Sequence, residues 1–118
     1  VSKILIVDDS KVNLEFLSAA LKALGHEVIQ ANTGFEAFEM AKIHEPHVII
    51  TDLIMPSYTG TGYDLAKKIR EHYETAHIPI IALSAEDDSS EALESGVDIF
   101  LSRPLGAHQL RETLKKFV

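Results

Sequence analysis

The chain of 118 residues contains no cysteine. That removes disulfides, thiolate metal centres and a cysteine nucleophile, and it fits a reducing cytoplasm. No apolar run approaches the ~18 residues that a membrane span needs. No apolar segment with a cleavage site opens the chain, so a secretory leader is not expected. Basic residues are few: 11 Lys and Arg stand against 18 Asp and Glu, for a net charge of −7. Such a deficit argues against direct nucleic-acid binding, which depends on neutralising phosphates, and against adhesion to anionic lipid. Repeats, low-complexity tracts and linkers are also missing. The first residue is Val1 and not Met, so the N-terminus is expected to be processed, trimmed or excised from something longer.

What is present is an ordinary globular balance of 46% hydrophobic and 25% charged residues. The length suits one domain over 1–118, which hides roughly two-thirds of its unfolded surface. Strand-like and helical segments alternate throughout. Lys3 to Val7 is a continuous apolar run, the mark of a strand covered on both faces. Helical spacing follows from Val12 to Leu24, with Val12, Phe16, Ala20 and Leu24 in line, Leu17 and Leu21 beside them, and Gly25 as the stop.

Glu27 to Ala31 reads as a second strand, and Thr33 with Glu36 as a capping box for a helix through Ile43. His47 to Thr51 is a third strand, and Tyr63 to Tyr73 a helix. Ile78 to Leu83 is a fourth strand, Ser89 to Ser95 a short helix stopped by Gly96, and Asp98 to Ser102 a fifth strand. A final helix from Ala107 sets Ala107, Leu110, Leu114 and Phe117 on one face. The fold class is therefore α/β: a doubly wound, five-stranded parallel sheet.

In such sheets ligands bind beyond the carboxyl ends of the strands. Those ends carry Asp8 and Asp9, then Asp52, then Ser84, and finally Arg103-Pro104. Any one of these aspartates is explained by a turn or an N-cap. Their recurrence at neighbouring strand ends points to a shared site. Clustered carboxylates repel, and a hard divalent cation relieves the conflict; Mg²⁺ suits oxygen ligands of this kind. A carboxylate can also accept a phosphoryl group as a nucleophile. A hydroxyl and a cation would then hold the transferred oxygens.

Taken in order, Ile-Val-Asp8-Asp9-Ser, Thr-Asp52-Leu-Ile-Met55-Pro56, Pro79-Ile-Ile-Ala-Leu-Ser84-Ala85, Gly96-Val-Asp98 and Phe100-Leu-Ser-Arg103-Pro104 resemble a response-regulator receiver domain of two-component signalling. The resemblance runs end to end, and it carries over the flavodoxin-like (βα)5 strand order 2-1-3-4-5. It implies that Asp52 is the phosphoacceptor. It also implies that Asp9, Asp52 and the Ile54 backbone carbonyl bind Mg²⁺, with Asp8 acting through water. Ser84 would hydrogen-bond the phosphoryl group, Phe100 would rotate inward on activation, and Pro104 would follow a cis bond. The implied partners are a histidine kinase or histidine phosphotransfer protein and a downstream output domain or protein. Homodimerisation through the last helix stays open.

Three features depart from the family pattern. Arg103 stands where the family has lysine, an exchange of a compact ammonium for a planar fork. Ser57 to Gly60 carries about two residues more than the family pattern has before Gly62 to Leu65, and Ser84 to Gly96 is about three residues shorter than that pattern, so the fourth helix is expected to be truncated or irregular. Arg103 sustains an alternative: a degenerate receiver that acts as a phosphorylation-independent interaction module. A phosphatase would want an Asp-x-Asp pair after the first strand, whereas Asp8 and Asp9 are adjacent. A flavodoxin-like redox carrier would place an anionic cofactor against acidic strand ends. The six histidines show no metal-ligand spacing.

Overall fold

Ile4, Leu5, Ile6 and Val7 have 0, 0, 0 and 1% of their surface exposed, so the first strand is covered on both sides. The computed structural model describes residues 2–52, 62–84, 96–102 and 106–117. Its elements are β1 (Lys3–Val7), α1 (Lys11–Ala23), β2 (Glu27–Ala31), α2 (Gly34–His44), β3 (Val48–Asp52), α3 (Gly62–Glu71), β4 (Ile80–Ser84), β5 (Ile99–Ser102) and α4 (Ala107–Leu114). The expected short helix at Ser89 to Ser95 lies outside the described residues.

The five strands form one parallel sheet in the order β2-β1-β3-β4-β5, as expected. Alternation along the central strands divides the core in two. Leu5, Val7, Ile49, Ile80 and Ala82 pack under Phe38 of α2 and Leu65 and Ile69 of α3. Ile4, Ile6, Ile50, Ile81 and Leu83 pack under Leu14, Leu17 and Leu21 of α1 and Leu110 and Leu114 of α4.

Local chemistry sets the element ends. Ser10 caps α1 by accepting the Asn13 N–H at 3.3 Å, so the helix begins at Lys11, one residue before the expected Val12. Gly25 takes the positive φ of 93° that the chain needs to leave α1. Thr33 accepts the Glu36 N–H at 3.0 Å, and Glu36 accepts the Asn32 N–H at 3.1 Å. The capping box is therefore present, with its return bond one residue before the cap.

β4 begins at Ile80 and not at Ile78, because the Ile78 N–H is taken by the Thr75 carbonyl and Pro79 has no N–H. β3 runs one residue further than expected, through Asp52, and α3 stops at Glu71.

The helical spacing of α1 left its buried face open. The residues that face the sheet are Leu14, Leu17, Ser18 and Leu21, while Val12 and Phe16 are 74% and 65% exposed. The helix carries two apolar stripes. The sheet takes the one with larger, closely spaced leucines, and Ala20 and Leu24 sit at its margin.

At the amino edge of the sheet, Arg70 joins three segments. Its guanidinium donates to the carbonyls of Gly96 (3.0 Å), Ala76 (2.9 Å) and Ile78 (2.6 Å), and it pairs with the Asp98 carboxylate. The same Asp98 oxygen accepts the Ile80 N–H at 2.8 Å. α3, the start of β4 and the start of β5 are thereby held in register.

Candidate functional site

The register of the central strands builds the acidic edge. Val7 of β1 lies opposite Thr51 of β3, so Asp8 and Asp52 follow side by side and Asp9 comes next. The Asp8 N–H extends the ladder to Ala31 at 3.1 Å. Its Oδ1 accepts the Ser10 N–H at 2.9 Å, which fixes the turn into α1. Asp8 is 1% exposed, whereas Asp9 and Asp52 are half-buried. Beside them the Thr51 hydroxyl donates to the Asp52 carbonyl at 2.9 Å, which spends its donor inside the fold.

One oxygen from each of Asp8, Asp9 and Asp52 falls within 4.8 Å of the others. Like charges this close, at an effective dielectric of ~20, repel by about 3 kcal/mol per pair. A small hard cation among them turns each repulsion into an attraction and supplies the geometry that oxygen donors favour. Among the described residues the donor set fits Mg²⁺: all three are carboxylates, and two of them are half-buried.

The neighbouring strands bring further expected residues to the same edge. Asp52 pairs with Leu83 of β4, and Ser84 is the next residue along; Ser84 pairs with Ser102 at the end of β5. Phe100 lies on β5 opposite Ala82. It is half-buried and packs on the α2–α3 side, while Ile99 and Leu101 pack on the α1–α4 side. Phe100 thus touches the core and is not a freely exposed ring. Ile54, Arg103, Pro104 and the stretches 53–61 and 85–95, which take in both loops of unusual length, lie outside the described residues, as does the side chain of Ser84.

Two features were not anticipated. A groove of about 360 Å³ opens beside Asp9, between the first turn of α1 and the start of α2, with Lys11, Gln30, Asn32 and Glu36 among its walls. The solvent face of α1 also carries an apolar stripe, Val12, Phe16, Ala19 and Ala23, at spacings of four, three and four. That spacing is visible in the sequence. Which of the two stripes faces water depends on how the helix is rotated against the sheet.

Among the described residues, no helix is long and apolar enough to cross a membrane. The model of the response regulator receiver domain matches residues 4–115. The polar-differentiation response regulator DivK of Brucella ovis is 28% identical over 118 residues, covering 98% of this chain and 94% of that protein. The chemotaxis protein CheY4 of Vibrio cholerae superposes with a TM-score of 0.92 at 30% identity, covering 100% of this chain and 99% of that one. The receiver domain of the Pseudomonas aeruginosa sensor histidine kinase PA1611, solved with a magnesium ion in its active-site cleft, superposes with a TM-score of 0.89 at 28% identity. It covers 98% of this chain and is itself covered to 96%. A parallel sheet in this strand order, with carboxylates gathered at its carboxyl edge and a family match over nearly the whole length, leads to one assignment: the chain belongs to the response regulator receiver domain family.

Proposed function

We propose that this receiver domain is a phosphorylation-controlled switch in which Asp52 accepts a phosphoryl group. The observation that carries the reading is the convergence of Asp8, Asp9 and Asp52 oxygens within 4.8 Å of one another. A carboxylate oxygen of Asp52 attacks the phosphorus of the donor, and the new O–P bond replaces the donor's P–N bond. The departing imidazole keeps its electron pair and takes a proton from water.

Asp9, Asp52 and the Ile54 carbonyl hold Mg²⁺ in this reading, and Asp8 acts through water. When bound, Mg²⁺ would neutralise charge on the phosphoryl oxygens. Ser84 hydrogen-bonds one of those oxygens. Arg103 takes the place of the family's lysine and presents a planar, bidentate donor. The added charge then draws Ser84 and Arg103 toward Asp52, and Phe100 changes position on β5. Pro104, after a cis bond, fixes the turn that carries Arg103.

A histidine kinase or histidine phosphotransfer protein serves as donor, and a downstream output domain or protein reads the change. The exposed stripe from Val12 to Ala23 has the spacing of a helix–helix seam and starts beside the acidic edge. It suits a helical donor that presents its histidine to Asp52. The domain spans 1–118 in this reading and works in the cytoplasm.

The test is intact mass after incubation with a small-molecule phosphodonor, with and without Mg²⁺. A single Mg²⁺-dependent phosphoryl adduct is expected, lost in Asp52→Asn. The absence of an adduct, under conditions that label another receiver, would favour the degenerate interaction module, the reading that Arg103 supports. Restoration by Arg103→Lys would then identify the cause.

A further inference from the structure

We propose that Thr51, the residue before Asp52, is a positioning residue for the acidic site. Its hydroxyl sets the direction in which the chain leaves β3, and so readies the edge for a divalent cation and for phosphoryl transfer. The inference deepens the phosphorylation reading and rests on it.

β3 is Val48-Ile-Ile-Thr51-Asp52, an apolar run with polar residues only at its last two positions. Thr51 is 0% exposed. In the sheet it lies between Val7 of β1 and Ala82 of β4. Both of these pack in the α2–α3 layer of the core, and neither has a polar side chain. Valine would fill the same space and bring no polar atom into it. A hydroxyl buried there is costly unless it is bonded.

The bond that satisfies it is local. The Thr51 hydroxyl donates to the Asp52 carbonyl at 2.9 Å. It joins a residue to its immediate neighbour, so it ties no distant segments together. The ladders on both sides already set the register of the strand. Thr75 makes the contrast. It too is 0% exposed, but its hydroxyl donates to the Ile69 carbonyl, six residues back, at 2.8 Å. That bond holds the turn after α3 against the helix and shapes the fold. The Thr51 bond fixes only the rotation of the peptide that follows the Asp52 Cα.

That rotation sets the path of the chain toward Ile54, whose carbonyl joins Asp9 and Asp52 around Mg²⁺ in the proposed reading. A ligand that follows an anchored peptide has less conformational freedom to lose when the ion binds. The anchor is buried, so water does not compete for it.

The experiment compares wild type, Thr51→Val and Thr51→Ser. In the metal-free protein, the NMR resonance of the Asp52 carbonyl carbon should move in Thr51→Val and return in Thr51→Ser, which keeps the hydroxyl. Calorimetric titration with Mg²⁺ alone should give a Kd about fivefold weaker for Thr51→Val, the worth of one such hydrogen bond, with Thr51→Ser close to wild type. Intact mass with phosphoramidate at saturating Mg²⁺ should show the adduct of Thr51→Val forming more slowly by a similar factor. Denaturant midpoints should rank the other way, with Thr51→Val at least as stable as Thr51→Ser, because serine also gives up a buried methyl. A merely structural role would make Mg²⁺ affinity follow stability.

The proposal is overturned if Thr51→Val binds Mg²⁺ as tightly as wild type, or if Thr51→Ser is as weak as Thr51→Val. Either result leaves the phosphorylation reading intact when wild type gains its adduct. A wild type that binds Mg²⁺ and gains no adduct overturns that reading instead, and the Mg²⁺ titration still decides the part played by Thr51. A wild type that binds no Mg²⁺ overturns both.

Discussion

The two ends of the sheet resolve charge in opposite ways. At the amino end, Arg70 meets Asp98 and three backbone carbonyls, and Asp98 in turn accepts the Ile80 N–H. Lys3 adds two more bonds there, its N–H to His47 Nδ1 at 3.0 Å and its ammonium to the His44 carbonyl at 3.1 Å. Opposite charges are paired within the chain. At the carboxyl end, three carboxylates crowd within 4.8 Å of one another. The same strands carry both ends, so the difference lies in the residues placed where the strands stop. One end holds the fold in register. The other gathers the carboxylate oxygens at which a cation can bind.

The contrast can be broken from the amino end first. Arg70→Ala leaves Asp98 and three carbonyls without their donor and should cost about 3 kcal/mol, read as a lower denaturant midpoint at unchanged slope. Gly96→Ala should damage the same clamp. Its φ is 102°, and a Cβ there would lie 2.7 Å from Arg70 Cγ. Because both changes strike one contact, the double variant should lose less than the sum of the singles.

At the carboxyl end the expected effect depends on the metal. Saturating Mg²⁺ should raise wild-type stability by about 2–3 kcal/mol at a hundredfold excess over Kd. Asp9→Asn should abolish most of that gain. Thermal unfolding with and without Mg²⁺ measures both, and an undiminished gain in Asp9→Asn would contradict the placing of the cation at this edge.

The smallest effect concerns His26. Burial lowers its folded-state pKa below the ordinary value of 6.5. As pH falls through that value, the unfolded chain takes up a proton that the folded chain resists, so stability declines with acidification. His26→Asn should remove this component of the pH dependence between pH 7.5 and 5.5, followed by chemical denaturation.

Much of the architecture could be read from the residues alone. Apolar runs such as Ile4 to Val7 cannot be satisfied unless both faces are covered, and that requirement implies a parallel sheet. Capping at Thr33 and the turn at Gly25 were also readable, because both depend on bonds and dihedrals within a few residues. The strand order was carried over from the family, and the structure bears it out.

The errors share a cause. The apolar spacing of α1 took in Val12, Phe16, Leu17 and Leu21 alike, yet of its apolar residues only Leu14, Leu17 and Leu21 are buried, and Val12 and Phe16 face water. Both stripes have helical periodicity, and only contact with Ile4, Ile6 and Ile50 of the sheet selects between them. The start of β4 was misplaced because the Ile78 N–H is claimed by Thr75 within a turn. The groove beside Asp9 draws its walls from distant segments, so no local pattern announces it.

From the residues alone one reads which chemistry stands at the sheet's edge, to within a residue of each strand end: Asp8, Asp9, Asp52 and Ser84 each follow an apolar run. That the three carboxylates share one site follows from strand pairing, because their meeting depends on β1 lying beside β3 in the register that sets Val7 against Thr51. Register and helix rotation are fixed by packing between segments far apart in the chain, and that information is held by the whole core and by no local stretch of it.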